Sequence, residues 1–112
     1  MEISERKIES GVTVIEIKGQ ANISAHPERL PQLVRARLGT GERQFIINLA
    51  ECSWMDSTAL GELITSLVTV ARQGGKLKLA SVPRAVRGIL TVSNLMQVFE
   101  IFDDEQAAVS SF

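Results

Sequence analysis

The 112-residue chain contains a single cysteine, Cys52, and a single histidine, His26. A lone cysteine leaves no partner for an internal disulfide or a zinc site, so Cys52 is expected to be a small, semi-buried residue. A Ser-His-Asp triad is not expected either. The chain has no Gly-x-Ser-x-Gly turn, and Asp56 adjoins a serine in sequence instead of orienting the histidine. His26, directly before Pro27, is expected to lie in a loop.

Long apolar runs and an excess of charge are also missing. No segment approaches the ~20 apolar residues that cross a bilayer, and residues 1–7 lack the apolar stretch of a signal peptide. Twelve basic residues against thirteen acidic ones give no field that would attract DNA, RNA or anionic lipid. We therefore expect a cytoplasmic protein without a nucleic-acid or membrane partner.

Phosphate-binding and metal-binding patterns are not found. The segments Gly39-Thr40-Gly41 and Gly74-Gly75-Lys76 lack the P-loop spacing and are expected to end helices. No carboxylates cluster as metal ligands would. We expect no cofactor, no metal and no enzymatic activity, and a nucleotide-binding protein or weak NTPase is the less favoured alternative.

The chain has the length and the 45% hydrophobic content of one domain, residues 1–112. Two β-rich runs around a short glycine-containing connection predict a hairpin over 2–8 and 12–18. Further strands are predicted over 44–49, 76–80 and 98–102, and helices over about 29–38, 58–73, 83–90 and after 103–105. This order predicts an α/β fold, with a mixed, mostly parallel sheet of about five strands and about four helices.

Helical spacing predicts which residues face the core. In the first helix these are Leu30, Leu33, Val34 and Leu38. In the second helix they are Leu60, Leu63, Ile64, Leu67, Val68 and Ala71. Pro83 is expected at the first position of the third helix, and Asn94 in a left-handed turn after it.

The stretch from Ala50 to Ile64 carries the candidate functional residues. It follows a buried strand and contains Asp56, Ser57 and Thr58 at a predicted strand-to-helix turn. Asp, Ser and Thr can all cap a helix, so a helix start is the simplest interpretation of this triplet. The same place tolerates a phosphate, because free backbone N–H groups and the helix dipole favour an anion there.

The run from Trp54 to Gly61, Trp-Met-Asp-Ser-Thr-Ala-Leu-Gly, resembles the Asp-Ser-Ser/Thr-Gly-Leu-Gly signature of the STAS domain. This is the fold of the bacterial anti-sigma factor antagonists. The resemblance covers nearly the whole chain, including the paired-strand start and the segments 19–22, 74–77 and 90–95. The chain departs from the family at Ala59 and Asn94, where the family has glycine, and at Asn22, where it has an acidic residue.

The resemblance implies that Ser57, directly after the aspartate, is the residue that a partner kinase phosphorylates. Thr58 is a possible second acceptor. Residues implied to support the phosphosite or to bind the partner are Asp56, Trp54, Met55, Ala59, Leu60 and Asn22. Asp56 would both cap the helix and position the hydroxyl. For Trp54, interface and core positions remain equally open.

The resemblance further implies an anti-sigma factor antagonist that works by partner switching. Its partners would be an anti-sigma factor serine kinase with a histidine-kinase-like ATPase domain, and a serine phosphatase. A STAS module that controls a target other than a sigma factor is the alternative. The arginines of the first helix and its end, Arg29, Arg35, Arg37 and Arg43, are expected to form a solvated face rather than a docking patch.

Overall fold

The computed structural model describes residues 2–8, 10–21 and 29–112. In this part of the chain, six strands form one mixed sheet with four helices packed on it, which confirms the α/β fold. The strands are β1 (Glu2–Lys7), β2 (Thr13–Ala21), β3 (Gln44–Asn48), β4 (Cys52–Met55), β5 (Lys76–Ala80) and β6 (Ile101–Phe102). The helices are α1 (Arg29–Gly39), α2 (Ser57–Arg72), α3 (Arg84–Val92) and α4 (Glu105–Ser110).

The sheet has the strand order β1-β2-β3-β5-β6, in which β1 is antiparallel to β2 and the other pairs are parallel. β4 lies off this path and pairs in parallel with the end of β2, from Gly19↔Cys52 to Ala21↔Met55, with an irregularity after Gly19. The sequence did not predict β4. Its four residues do not alternate regularly between polar and apolar side chains, so they show no strand pattern. The parallel order brings the carboxyl ends of β2, β3 and β5 to one edge of the sheet.

One face of the sheet, the front, is covered by α1, α2 and α3. Every second side chain along the strands points to this face. Together with side chains of the helices, these form a large buried cluster, which we call the front cluster. Its members include Ile15, Ile17, Leu30, Val34, Phe45, Ile47, Leu49, Met55, Leu63, Leu79, Val86 and Leu90.

The back face carries a smaller buried cluster, the back cluster, made of Val12, Val14, Ile46, Ala80 and Ala108. α4 is the helix that covers it. Lys78 points to this face and is buried. Its ammonium group is satisfied there, because it donates a hydrogen bond to the Ser111 hydroxyl at 2.7 Å and lies 4.2 Å from the centre of the Phe112 ring.

Three local predictions need correction. In α2, Val68 is 40% exposed and Ala71 is exposed, and the buried stripe instead includes Ser66. Ser66 can face the core because its hydroxyl donates to the Glu62 carbonyl at 2.8 Å. Pro83 is the residue before α3, where its extended ψ of 160° precedes the first helical turn.

The last strand is shorter than the predicted 98–102. Only Ile101 and Phe102 pair with β5. The chain before them turns, with the Val98 N–H donating to the Leu95 carbonyl at 3.1 Å, and this turn leaves Val98 49% exposed. The left-handed turn at Asn94 is confirmed, with φ of 59°.

Candidate functional site

The candidate site lies where β4 ends and α2 begins. Asp56 is the N-cap of α2, with an extended backbone, and its Oδ1 accepts a hydrogen bond from the Ala59 N–H at 2.8 Å. This bond satisfies one of the four N–H groups that a helix start leaves without a helical partner. The predicted capping role of Asp56 is therefore confirmed by the geometry.

Ser57 is the first residue of α2, and both Ser57 and Thr58 are exposed. The two other serines of this region differ from Ser57. Ser53 is exposed but lies within β4, away from the helix start, and Ser66 is fully buried. Ser57 thus combines an accessible hydroxyl with the positive end of a 16-residue helix.

The residues around Ser57 divide into a buried layer and an exposed aromatic ring. Met55, Ala59 and Leu60 are 1%, 7% and 6% exposed and belong to the front cluster, so they support the helix start from beneath. Trp54 is 44% exposed on β4, two residues before Asp56. Among the described residues, α3 also packs beside β4.

Two of the residues singled out in the sequence, Asn22 and His26, lie outside the described residues. Cys52 is buried, at 1% exposure, rather than semi-buried, because its side chain belongs to the front cluster.

The arginines expected to form a solvated face differ in their surroundings, and the side chain of Arg29 lies outside the described residues. The Arg37 Nε lies 2.8 Å from a Glu5 carboxylate oxygen on β1. Arg43 donates to the Leu38 and Glu42 carbonyls, at 3.0 and 2.8 Å, and so caps the end of α1. Arg35 is exposed. Two of these side chains therefore have structural partners.

The described residues have a cavity away from this site, but no metal site and no helix that could span a membrane. A cavity of about 310 Å³ between Arg35 and Gln73 sits at the opposite end of α2 from Ser57. Across residues 2–8, 10–21 and 29–112, no three His, Cys, Asp or Glu side chains are grouped as a metal site would need. No helix within these residues is long and apolar enough to cross a bilayer.

Asn48 was not singled out in the sequence. Its Oδ1 accepts the Ala50 N–H at 2.9 Å and its Nδ2 donates to Glu105 at 3.1 Å. The first of these bonds is an Asx turn, and an asparagine at the end of a strand is the local signal for it. The second joins residues 57 positions apart and has no local signal.

Comparison with known proteins agrees with this architecture. The model of the STAS domain family matches residues 4–108. BtrV of Bordetella bronchiseptica, named as a candidate anti-sigma factor antagonist, is 24% identical over 112 residues, which cover all of this chain and 95% of BtrV.

Solved structures share the fold at lower identity. A candidate anti-sigma factor antagonist from Thermotoga maritima superposes with a TM-score of 0.81 at 20% identity, covering 97% of this chain and 92% of that one. The unphosphorylated anti-sigma factor antagonist SpoIIAA gives 0.76 at 20% identity, over 98% of this chain and 95% of SpoIIAA. Phosphorylated SpoIIAA from Bacillus gives 0.77 at 18% identity, over 98% of both chains.

The match of the family model spans nearly the whole chain, and the overall fold superposes on that of the structural neighbours. The protein therefore belongs to the STAS domain family.

Proposed function

We propose that this STAS domain is an anti-sigma factor antagonist controlled by phosphorylation of Ser57. Without phosphate, it binds an anti-sigma factor that is also an ATP-dependent serine kinase, and this binding releases the sigma factor. Phosphorylation by that kinase ends the interaction, and a serine phosphatase restores it. The domain itself acts as substrate and ligand, in the cytoplasm, and not as a catalyst.

The observation that carries this proposal is the position of Ser57. Its side chain is exposed, directly follows the capping Asp56, and begins α2. Its neighbour Trp54 offers an exposed aromatic ring of the kind that often anchors protein interfaces. A kinase that binds the exposed ring would have the Ser57 hydroxyl three residues further along the chain.

The reaction requires little from the domain beyond presentation. The Ser57 Oγ forms a bond to the γ-phosphorus of ATP while the bond to ADP breaks, and the hydroxyl proton passes to a base of the kinase. Met55, Ala59 and Leu60 hold the helix start on the front cluster, so the hydroxyl stands on a rigid element.

Phosphorylation should leave the fold nearly unchanged. The phosphate adds a charge of about −1.5 to −2 at neutral pH. The helix N-terminus favours that charge by about 0.3–1 kcal/mol, while the Asp56 carboxylate next door repels it by about as much at high dielectric. Both the unphosphorylated and the phosphorylated form of SpoIIAA share the overall fold of this chain, with TM-scores of 0.76 and 0.77.

The effect on the partner should be large. A phosphate brought into a dry interface without a cation to pair it loses its hydration, at a cost of several kcal/mol. Because about 1.4 kcal/mol corresponds to a tenfold change in affinity, binding should weaken by at least about two orders of magnitude.

The test compares Ser57→Asp and Ser57→Ala with wild type for binding to the purified kinase, by calorimetry, and for melting, by circular dichroism. We expect Ser57→Asp to melt within a few degrees of wild type but to lose binding. Ser57→Ala should bind and remain unmodified. Normal binding by Ser57→Asp would place Ser57 outside the interface, and unfolding of that variant would mean that the switch is conformational.

Matched variants locate the acceptor. After incubation with kinase and ATP, fragment masses should place the phosphate on Ser57 in wild type, in Thr58→Ala and in Ser53→Ala. Modification of Ser57→Ala to the wild-type extent would contradict the assignment and would point to Thr58 or Ser53.

A further inference from the structure

Asn48, the last residue of β3, uses both ends of its side-chain amide. The Oδ1 accepts the Ala50 N–H at 2.9 Å, and the Nδ2 donates to the Glu105 Oε1 at 3.1 Å. Ala50 belongs to the turn between β3 and β4, whereas Glu105 is the first residue of α4. One side chain therefore bonds the turn that leads towards Ser57 and the helix on the back face of the sheet.

Glu105, which accepts the hydrogen bond from Asn48, is also held by an ion pair. The carboxylate oxygens of Glu105 lie 2.5 and 2.6 Å from the Arg6 Nη2 on β1, and Arg6 also lies 3.4 Å from Glu16 on β2. Charge-assisted bonds of this kind are shorter and stronger than bonds between neutral groups. The Glu105 carboxylate that receives the Asn48 amide is therefore held by the edge of the sheet.

The hydrogen bond from the Ala50 N–H to Asn48 lies in the turn that leads to β4 and Ser57. Besides the Asn48 bond, the turn is held by the Cys52 N–H on the Leu49 carbonyl at 3.0 Å and by the Gly19 N–H on the Glu51 carbonyl at 2.8 Å. In the described part of the chain β4 pairs only with β2, and with an irregular register. β4 is also held by Cys52 and Met55, which are buried in the front cluster, and by its contact with α3, while the turn sets the direction in which β4 leaves β3.

We propose that Asn48 is a positioning residue that fixes the start of β4, and with it the place of Ser57, and that it couples α4 to this segment. β4 ends at Met55, one residue before the cap of α2. A shift at the turn is passed along a four-residue strand to the acceptor hydroxyl. The link to phosphorylation rests on the function proposed above, whereas the coupling between Asn48 and β4 does not.

The primary test is native-state amide hydrogen exchange followed by NMR, which needs no kinase. In Asn48→Ala, we expect exchange of the β4 amides to quicken by about tenfold relative to the buried Ile46 of β3, because local opening of β4 becomes easier. Arg37→Gln, which removes a front-face ion pair with Glu5, is the control and should leave β4 unchanged. An equal change at Ile46 and in β4 would reveal a global loss of stability and overturn the proposal.

Two further variants separate the effects of the two Asn48 hydrogen bonds. Asn48→Asp keeps an oxygen for the Ala50 N–H but replaces the donor to Glu105 by a like charge. Glu105→Ala removes the acceptor together with the ion pair between Glu105 and Arg6. Both should quicken exchange in β4 less than Asn48→Ala does. Glu105→Ala should add nothing in the Asn48→Ala background, because its effect travels through Asn48. Additive effects of the two changes would refute the coupling.

Kinase kinetics give the functional measurement. With the domain as the varied substrate, Asn48→Ala should lower kcat about tenfold and change KM less than twofold, because the docking surface is intact and only the hydroxyl is misplaced. A rise in KM alone would assign Asn48 to docking and overturn its positioning role. If wild type is not phosphorylated, the proposed function fails, and the exchange results still decide the coupling.

Discussion

Among the described residues, three helices and a large apolar cluster cover the front of the sheet, whereas one six-residue helix and a small cluster cover the back. The back also carries polar contacts that reach far along the chain, from Arg6 to Glu105 and from Lys78 to Ser111. Burial of apolar area supplies most folding free energy, so the front determines whether the domain folds. The back is held by a few directional bonds, each of modest net free energy.

The difference also concerns the candidate site. Ser57 stands on α2, which belongs to the front, while the turn before β4 is bonded through Asn48 to the back. A rigid helix and a bonded turn therefore support the same hydroxyl from two sides. Variants that weaken one face at a time should reveal which face sets stability and which sets the local geometry.

The largest effect is expected from the front cluster. Leu63 is fully buried there, and Leu63→Ala should lower the free energy of unfolding by about 2–5 kcal/mol, through lost burial and the cavity left behind. Urea denaturation measures it. Val92→Ala, at a side chain that is 86% exposed, is the control and should change stability by less than about 0.5 kcal/mol. A loss below about 1 kcal/mol in Leu63→Ala would mean that the front is not the main source of stability.

A smaller effect is expected from the two helix caps, which form a matched pair. Asp56 caps α2 and Asp104 caps α4, each by a bond of 2.8 Å to a backbone N–H three residues on. Replacement of either by alanine should cost about 1 kcal/mol. Asp56→Ala should lower the global free energy of unfolding, whereas Asp104→Ala should mainly quicken amide exchange within α4. Equal global losses would show that α4 unfolds together with the front.

The smallest effect concerns the charge of Glu105. Burial raises the pKa of this carboxyl, but the hydrogen bonds from Arg6 and Asn48 outweigh burial and hold the pKa below its usual value. A carboxyl whose pKa is lower in the folded protein stabilises it above the usual pKa. This stabilisation is lost as the pH falls through the lowered pKa.

We therefore expect wild type to lose up to about 1 kcal/mol more than Glu105→Gln on acidification from neutral pH to below the usual carboxyl pKa of about 4.3. Urea denaturation at a series of pH values measures the difference, and an NMR titration follows the carboxyl directly. Arg6→Gln should remove most of the same pH dependence and add little to Glu105→Gln. Identical acid profiles for wild type and Glu105→Gln would exclude this contribution.

Local patterns predicted most of the elements on both faces. The glycine at the end of α1, the acidic start of α4 and the alternation in β5 each depend on neighbouring residues, and their predictions are confirmed. The strand-to-helix turn at Asp56 and Ser57 was predicted in the same way. The assignment of Ser57 as phosphoacceptor came from the resemblance to the STAS family and stays a prediction.

The predictions that failed depended on distant parts of the chain. β4 exists because the end of β2 offers it a pairing edge, and no alternation within its four residues marks it. In α2, packing against the rest of the domain buries Ser66 and leaves Val68 exposed, whereas hydrophobicity alone predicts the reverse. No local pattern signals the burial of Lys78, because α4 and the chain after it cover its side chain.

The sequence by itself thus determined the helices, most strands and the capped turn, because hydrophobic period, glycine and capping residues act over a few positions. Only the tertiary structure decided how β4 is held, what covers the back face and how Asn48 joins Glu105 to the turn before Ser57. These contacts join residues far apart in the chain, and whether they form depends on where the packing of the whole domain places each side chain.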